Sequence, residues 1–259
     1  MSNGIVSSIT RGGQTEPFDL QVARGQISGH SVLSLFGYQA SISTTSIPVW
    51  ENATTYTYPT SASTLTVASS SALDVSPAQV FVSGLDANFN LISETVVLTG
   101  QTGVTTVNSY FRVNSLTMTG VASGQTSNAG TITIKQSSNI LAQINAGIGK
   151  SQSMIYTVPA GFTFYLDWVE VNSSNSYTGS TYLTYKVQAK NNVTGVTFAV
   201  LQQPFVALYT ANRSYDPYAY PEKTDIQWQL LSSSATVAVG VIVTGKLVQN
   251  NNTVTGVGT

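Results

Sequence analysis

The sequence predicts an all-β protein: an extended N-terminal arm plus two β-sandwich domains, the second jelly-roll-like. Three observations carry that reading. Short runs in which apolar and polar residues alternate recur along most of the chain, with Gly, Asn and Ser between them. No stretch sustains helical spacing without interruption by glycine. The covering chemistry is also unusual, because charged residues are 8% of the chain against roughly 25% in ordinary soluble domains. Its place is taken by 33 serines, 34 threonines and 17 asparagines. Apolar residues, at 42%, supply a core and argue against disorder.

Residues 1–53 read as the arm. They hold the sole histidine and four glycines before residue 26, and EPFDLQVARGQISGHSVLSLFGYQ (16–39) shows no long alternation. SISTTSIPVWEN (41–52) adds at most a short strand. Residues 54–136 read as a small β-sandwich with strands at STLTVASS (63–70), AQVFVSGL (78–85), LISETVVLTG (91–100), VNSYFRVNSLTMTG (107–120) and GTITIKQ (130–136). In NILAQINAGIGK (139–150), Ile140, Ile144 and Ile148 have helical spacing, but two glycines make 137–150 a linker. Residues 151–259 read as the jelly-roll-like sandwich. A Pro-Ala-Gly turn splits SMIYTVPAGFTFYLDWVEVNS (153–173), followed by STYLTYKVQAKNN (180–192), GVTFAVLQQPF (195–205), DIQWQLLSSS (225–234) and TVAVGVIVTGKLVQN (236–250).

Composition excludes several functions. The net charge is −1 and the ten cations are scattered singly, so no basic stripe exists to neutralise phosphates, and nucleic acid is not an expected partner. With no cysteine, disulfides and thiolate zinc sites are ruled out. The start, MSNGIVSSITRGG, has neither a basic nor an apolar signal region, and the longest apolar run, Val237 to Val243, falls far short of the ~20 residues of a membrane span. The expectation is a protein made in the cytoplasm with no membrane partner.

Catalytic and metal signals are weak when weighed residue by residue. Asp86-Ala-Asn-Phe-Asn90 begins like a calcium loop, but the sixth position is Leu91 and the twelfth Val97, where glycine and a bidentate glutamate are required. An Asx-rich hairpin turn explains it better. His30 is the single possible centre of a serine triad, and its place in the arm makes it a contact residue instead. Asp167 and Glu170, three apart on a strand, are expected on opposite faces, and Asp216, Glu222 and Asp225 read as solvated loop carboxylates. GQTGVTT (100–106) lacks the spacing and the lysine of a phosphate loop. No catalytic residue, cofactor or metal is expected.

Two groups of residues remain as candidate contacts. YTANRSYDPYAYPEKTDIQW (209–228) reads as a long aromatic loop in which Tyr209, Arg213, Tyr215, Tyr218, Tyr220 and Trp228 serve internal packing, a subunit contact or a ligand. In the arm, Phe18, Leu20, Val22, Arg24, His30 and Phe36 are the candidate anchors.

The segment VSGLDANFNLISETVVLTGQTGVTTVNSYFRVNSLTMTG resembles a pattern of virion structural proteins of tailed bacteriophages, notably marine, cyanophage-like ones. EPFDLQVARGQISGH and LAQINAGIGKSQSMIYTVPAGFTFYL resemble further parts of the same proteins, and together the segments span about two thirds of the chain. The resemblance implies a β-rich particle component, carries no catalytic residue, and does not place it on the particle. The resulting expectation is a homotrimeric head decoration or cement protein, anchored through its arm to neighbours such as the major capsid protein. A tail or fibre protein touching host glycans is the alternative, and a glycan-active enzyme a remote third.

Overall fold

The computed structural model describes residues 10–11, 14–52, 54–174, 182–206, 209–233 and 237–251. In chain order a two-residue hairpin, β1 (Thr10–Arg11) and β2 (Gln14–Thr15), precedes helix α1 (Phe18–Ala23), β3 (His30–Ile42) and β4 (Ile47–Pro48). Seven strands follow: β5 (Thr66–Ser69), β6 (Val75–Leu85), β7 (Leu91–Thr99), β8 (Val104–Thr105), β9 (Arg112–Gly120), β10 (Ile132–Gln136) and β11 (Asn139–Ile144). The last seven are β12 (Ile155–Thr157), β13 (Phe162–Ser173), β14 (Leu183–Asn191), β15 (Thr197–Phe205), β16 (Tyr209–Tyr220), β17 (Thr224–Ser232) and β18 (Val237–Gln249). Every ladder between them is antiparallel.

One sandwich pairs the sheet β16-β13-β18-β3 with the sheet β12-β17-β14-β15, to which β4 adds on β17. Two four-stranded sheets with these crossovers are a jelly roll. Its core takes alternate residues from both sheets: Val239, Val241 and Val243 of β18 and Val169 and Val171 of β13 meet Tyr185 and Val187 of β14 and Ile226, Trp228 and Leu230 of β17. The second sandwich lies between β4 and β12 in the chain. It packs β11-β10-β5-β8 on β7-β6-β9 around Leu65, Val67, Val80, Val82, Leu116, Ile132, Ile134 and Ile144.

Three divisions therefore fall elsewhere than the alternation pattern placed them. Residues 30–50 are not an extended arm: β3 is laddered to β18 from His30 to Ile42 and carries Leu35 and Ile42 into the jelly-roll core. The reason is visible in its inward face. Gly37 and Gln39 occupy inward positions, while Val32, Phe36 and Tyr38 stand exposed, so the strand does not look amphipathic. Gly37 is required there, since a Cβ would sit 2.1 Å from Met154 Cγ. Gln39 is satisfied by donating to the Trp50 carbonyl at 2.8 Å and accepting from Ser41 N–H. The 137–150 stretch is no mere linker, because β11 hairpins onto β10 with a bulge that breaks its alternation. Ahead of β3, residues 18–23 form a helix instead of extended chain. Pro17 leads it, Asp19 sits in its first turn, and Gly25 with φ +68° follows its end.

The Asp86 segment is the turn of the β6–β7 hairpin. One Asp86 oxygen accepts the backbone N–H groups of Asn88 and Asn90, both at 2.8 Å, and the other accepts the Asn90 amide at 3.0 Å. Desolvation would raise this carboxyl, but the three donors outweigh it and hold it below the usual carboxylate range.

Candidate functional site

The 209–228 stretch is two strands rather than a loop. β16 pairs with β13 in two segments, Trp168 opposite Arg213 and Leu166 opposite Tyr218, so the residues between Arg213 and Tyr218 are left over opposite one residue of β13. The side chains of Tyr209, Arg213 and Tyr215 lie outside the described residues. Of the rest, Tyr220 is buried against Phe164, ring centroids 5.9 Å apart and nearly parallel. Trp228 is 0% exposed in the middle of β17, facing the core. Tyr218 alone of the three reaches solvent, its ring tilted on Tyr220 at 4.7 Å. For Tyr220 and Trp228 internal packing is the outcome, and they offer no stacking platform to a ligand.

The candidate anchors divide differently. Val22 packs inside, whereas Phe18 and Leu20 stand 38% and 47% exposed on α1 and Phe36 stands 47% exposed on β3. His30 lies edge-on to Phe18, ring centroids 5.9 Å apart, and Arg24 pairs with Glu16. The helix is tied to the jelly roll by Lys246 on the outer face of β18, which reaches Asp19 at 3.0 Å and Asp167 at 2.5 Å. Burial opposes the Lys246 charge, but the two carboxylates win and raise its pKa. Asp167 reaches this outer face because β13 bulges between Leu166 and Trp168. Glu170, opposite the outward Ile242, is on that face too, which corrects the expectation of opposite faces. The strip of exposed apolar side chains on α1 and β3, namely Phe18, Leu20, Val32, Phe36 and Tyr38, is thus held on a rigid sheet.

What the sequence did not show is the joint between the sandwiches. Arg112, at the start of β9, donates through Nε and Nη2 to the two oxygens of Asp225 on β17, at 2.8 and 2.9 Å. The side chains are 4% and 1% exposed. Thr157 Oγ1 and Asn192 Nδ2 donate to the same carboxylate at 2.6 and 2.8 Å, and Arg112 Nη1 donates to the carbonyls of Pro59 and Phe111. The guanidinium carbon also lies 4.0 Å from the Phe111 ring centroid and 4.8 Å from that of Tyr58. Every polar atom of the pair has a partner, as a buried charge pair requires. Asp225 is therefore a structural anion and not a loop carboxylate free to act on substrate. Glu222 accepts the Gly161 N–H. The pair joins residues 113 apart in sequence, so no local pattern could have signalled it.

A second titratable group lies where the chain leaves and re-enters the jelly roll. Trp50 bridges to Ser153, and next to it Glu51 accepts the Asn145 N–H at 3.3 Å. Burial pushes its carboxyl up to about 7, against the lowering effect of the Gln152 and Asn145 N–H groups. Among the described residues no cluster of three or more His, Cys, Asp or Glu side chains is arranged to hold a metal, and no helix is long and apolar enough to cross a membrane.

No family model matches the chain, and no curated protein matches it. Among solved structures it is similar to that of the infectious bursal disease virus Gt strain, at 13% identity over 87% of this chain and 74% of that one, with a TM-score of 0.23. The Gx strain structure gives 12% identity, 86% and 72% coverage and a TM-score of 0.24. The VP2 subviral particle of the same virus gives 12% identity, 87% and 74% coverage and a TM-score of 0.23. At these scores the likeness fixes neither the fold nor the role of this chain.

Proposed function

We propose that the chain is a non-enzymatic structural subunit of a bacteriophage virion, a homotrimer that decorates or cements the head. The observation that carries this is the strip of exposed apolar side chains on α1 and β3, in a chain of which only 8% is charged. Phe18, Leu20, Val32, Phe36 and Tyr38 are large enough together to favour a protein contact. Hydroxyls around them cost less to bury than charges. In this reading the segment before β3 seats on a neighbour such as the major capsid protein, and the inserted sandwich projects. The resemblance of the hairpin and junction segments to phage virion proteins supports the same reading.

The test uses purified particles of the phage and full-length protein. The chain is expected at a fixed number of copies per particle, and re-binding to stripped particles is expected to saturate. Removing residues 1–28 keeps all of β3, so the sandwiches are expected to stay folded, giving up only the contacts of Val22 and of Asp19 with Lys246, while particle association is lost. Full occupancy by the truncated protein would overturn the anchoring role. Absence of the full chain from purified particles would overturn the virion role.

A further inference from the structure

β3 is the edge of its sheet, and the direction of its spare backbone groups can be read from two hydrogen bonds. Gln249 N–H donates to the Gly29 carbonyl at 2.8 Å, one step beyond the His30–Val248 pair, so odd-numbered residues of β3 bond to β18. Tyr38 N–H points the other way, to the Gln152 carbonyl at 3.4 Å. By the alternation of an antiparallel ladder, the N–H and C=O groups of Val32, Ser34 and Phe36 face the free edge. Among the described residues none supplies a backbone partner to Ser34 or Phe36 there.

That edge opens on a cleft of about 320 Å³ between the sandwiches. Ser34 and Phe36 form one wall, and Phe81 of β6, Leu91 of β7 and Asn114 of β9 form the other. Lys150 is the one charged residue lining it, its Nζ 6.0 Å from the Phe36 ring centroid. Phe36, Phe81 and Leu91 are all exposed. A row of donors and acceptors repeating every second residue, ~7 Å apart, matches the spacing of a peptide strand. The apolar wall would take alternate side chains of that strand, and the lone cation would take a carboxylate.

We propose that this cleft is a strand-addition site: β3 accepts a fifth strand from a partner protein, an extended segment alternating apolar and hydroxyl residues and carrying one acidic side chain for Lys150. The inference rests on the cleft alone and does not need the virion reading, so the two can fail separately.

The experiment titrates the full-length protein with a fluorescein-labelled peptide, Val-Thr-Val-Asp-Val-Thr, and follows anisotropy. Saturable binding is expected, about two- to fivefold tighter than that of the peptide with Asn in place of Asp, the range of an exposed ion pair. Lys150→Gln should abolish that difference. Ser34→Pro removes an edge N–H that takes no part in the β18 ladder, so it should melt like the wild type and bind about tenfold more weakly. Should the proline variant not fold, hydrogen exchange decides: the Ser34 and Phe36 amides must slow on adding peptide to the wild type. No saturable binding up to about 1 mM, or binding indifferent to Ser34→Pro with no slowing of those amides, would overturn the proposal. So would displacement of the peptide by polygalacturonate that binds wild type and Ser34→Pro equally, since the cleft would then be a saccharide site.

Discussion

Replacing Arg112 with methionine removes the cation of the joint while keeping most of its apolar stem. The loss has several parts. Asp225 forfeits two charged hydrogen bonds at 2.8 and 2.9 Å, and the Pro59 and Phe111 carbonyls forfeit their donor. Leaving one buried ion without its partner costs about 3–5 kcal/mol. Thr157 and Asn192 still donate to the carboxylate, which places the expected loss near the lower end, about 3 kcal/mol. Asp225→Asn in the same background removes the stranded charge, so the double variant should recover about 1–2 kcal/mol, a coupling visible in a double-mutant cycle. Urea unfolding followed by far-ultraviolet circular dichroism and tryptophan fluorescence measures all four proteins. The tryptophans report mainly on the jelly roll, since Trp50, Trp168 and Trp228 all belong to it or its exit. Non-coincident transitions in Arg112→Met would mean the sandwiches have come apart as units. A loss under about 1 kcal/mol, with no coupling to Asp225→Asn, would refute the idea that this pair holds the joint.

Three further outcomes follow from the same geometry. Glu51 has a folded-state pKa raised to about 7 from an ordinary 4.5, so the folded protein binds the extra proton between those values. Its contribution therefore falls as pH rises from 4.5 to 7 and is flat outside that window; Glu51→Gln should lack that slope, so the wild-type minus variant difference in urea unfolding should carry it, and a flat difference would contradict the raised pKa. Gly37→Ala places a Cβ against Met154 in the core and should cost about 1–3 kcal/mol by thermal or chemical denaturation; a neutral result would show that the close approach is not rigid. Asp86→Ala removes three acceptor contacts from an exposed turn and should cost about 1 kcal/mol, while millimolar calcium leaves the wild-type Tm unchanged; a calcium-dependent rise in Tm would revive the ion-loop reading.

Strands whose inward faces are uniformly apolar were legible in the sequence. The inward residues Val237, Val239, Val241 and Val243 of β18 and Val80 and Val82 of β6 are β-branched and two apart, which marks both stretches as strands. β3 was not, because Gly37 and Gln39 fill its central inward positions while Val32, Phe36 and Tyr38 face outward. β16 was hidden by another cause, the extra residues between Arg213 and Tyr218 that put its tyrosines out of phase. The arm anchors were legible as apolar residues, but which of them stay exposed depends on α1 docking through Lys246, far away in the chain. The candidate contact stretch was legible as aromatic; that Tyr220 and Trp228 turn inward depends on the pairings of β16 and β17 with β13 and β14. Nothing local could reveal the Arg112–Asp225 joint or the cleft beside β3, because both exist only where one sandwich is inserted into the other.

That this chain works as one copy in an assembly is tested most directly by its native mass, measured by light scattering over a wide range of concentrations. The expected result is a species of three times 27.4 kDa that persists on dilution. A monomer at every concentration would contradict the homotrimer.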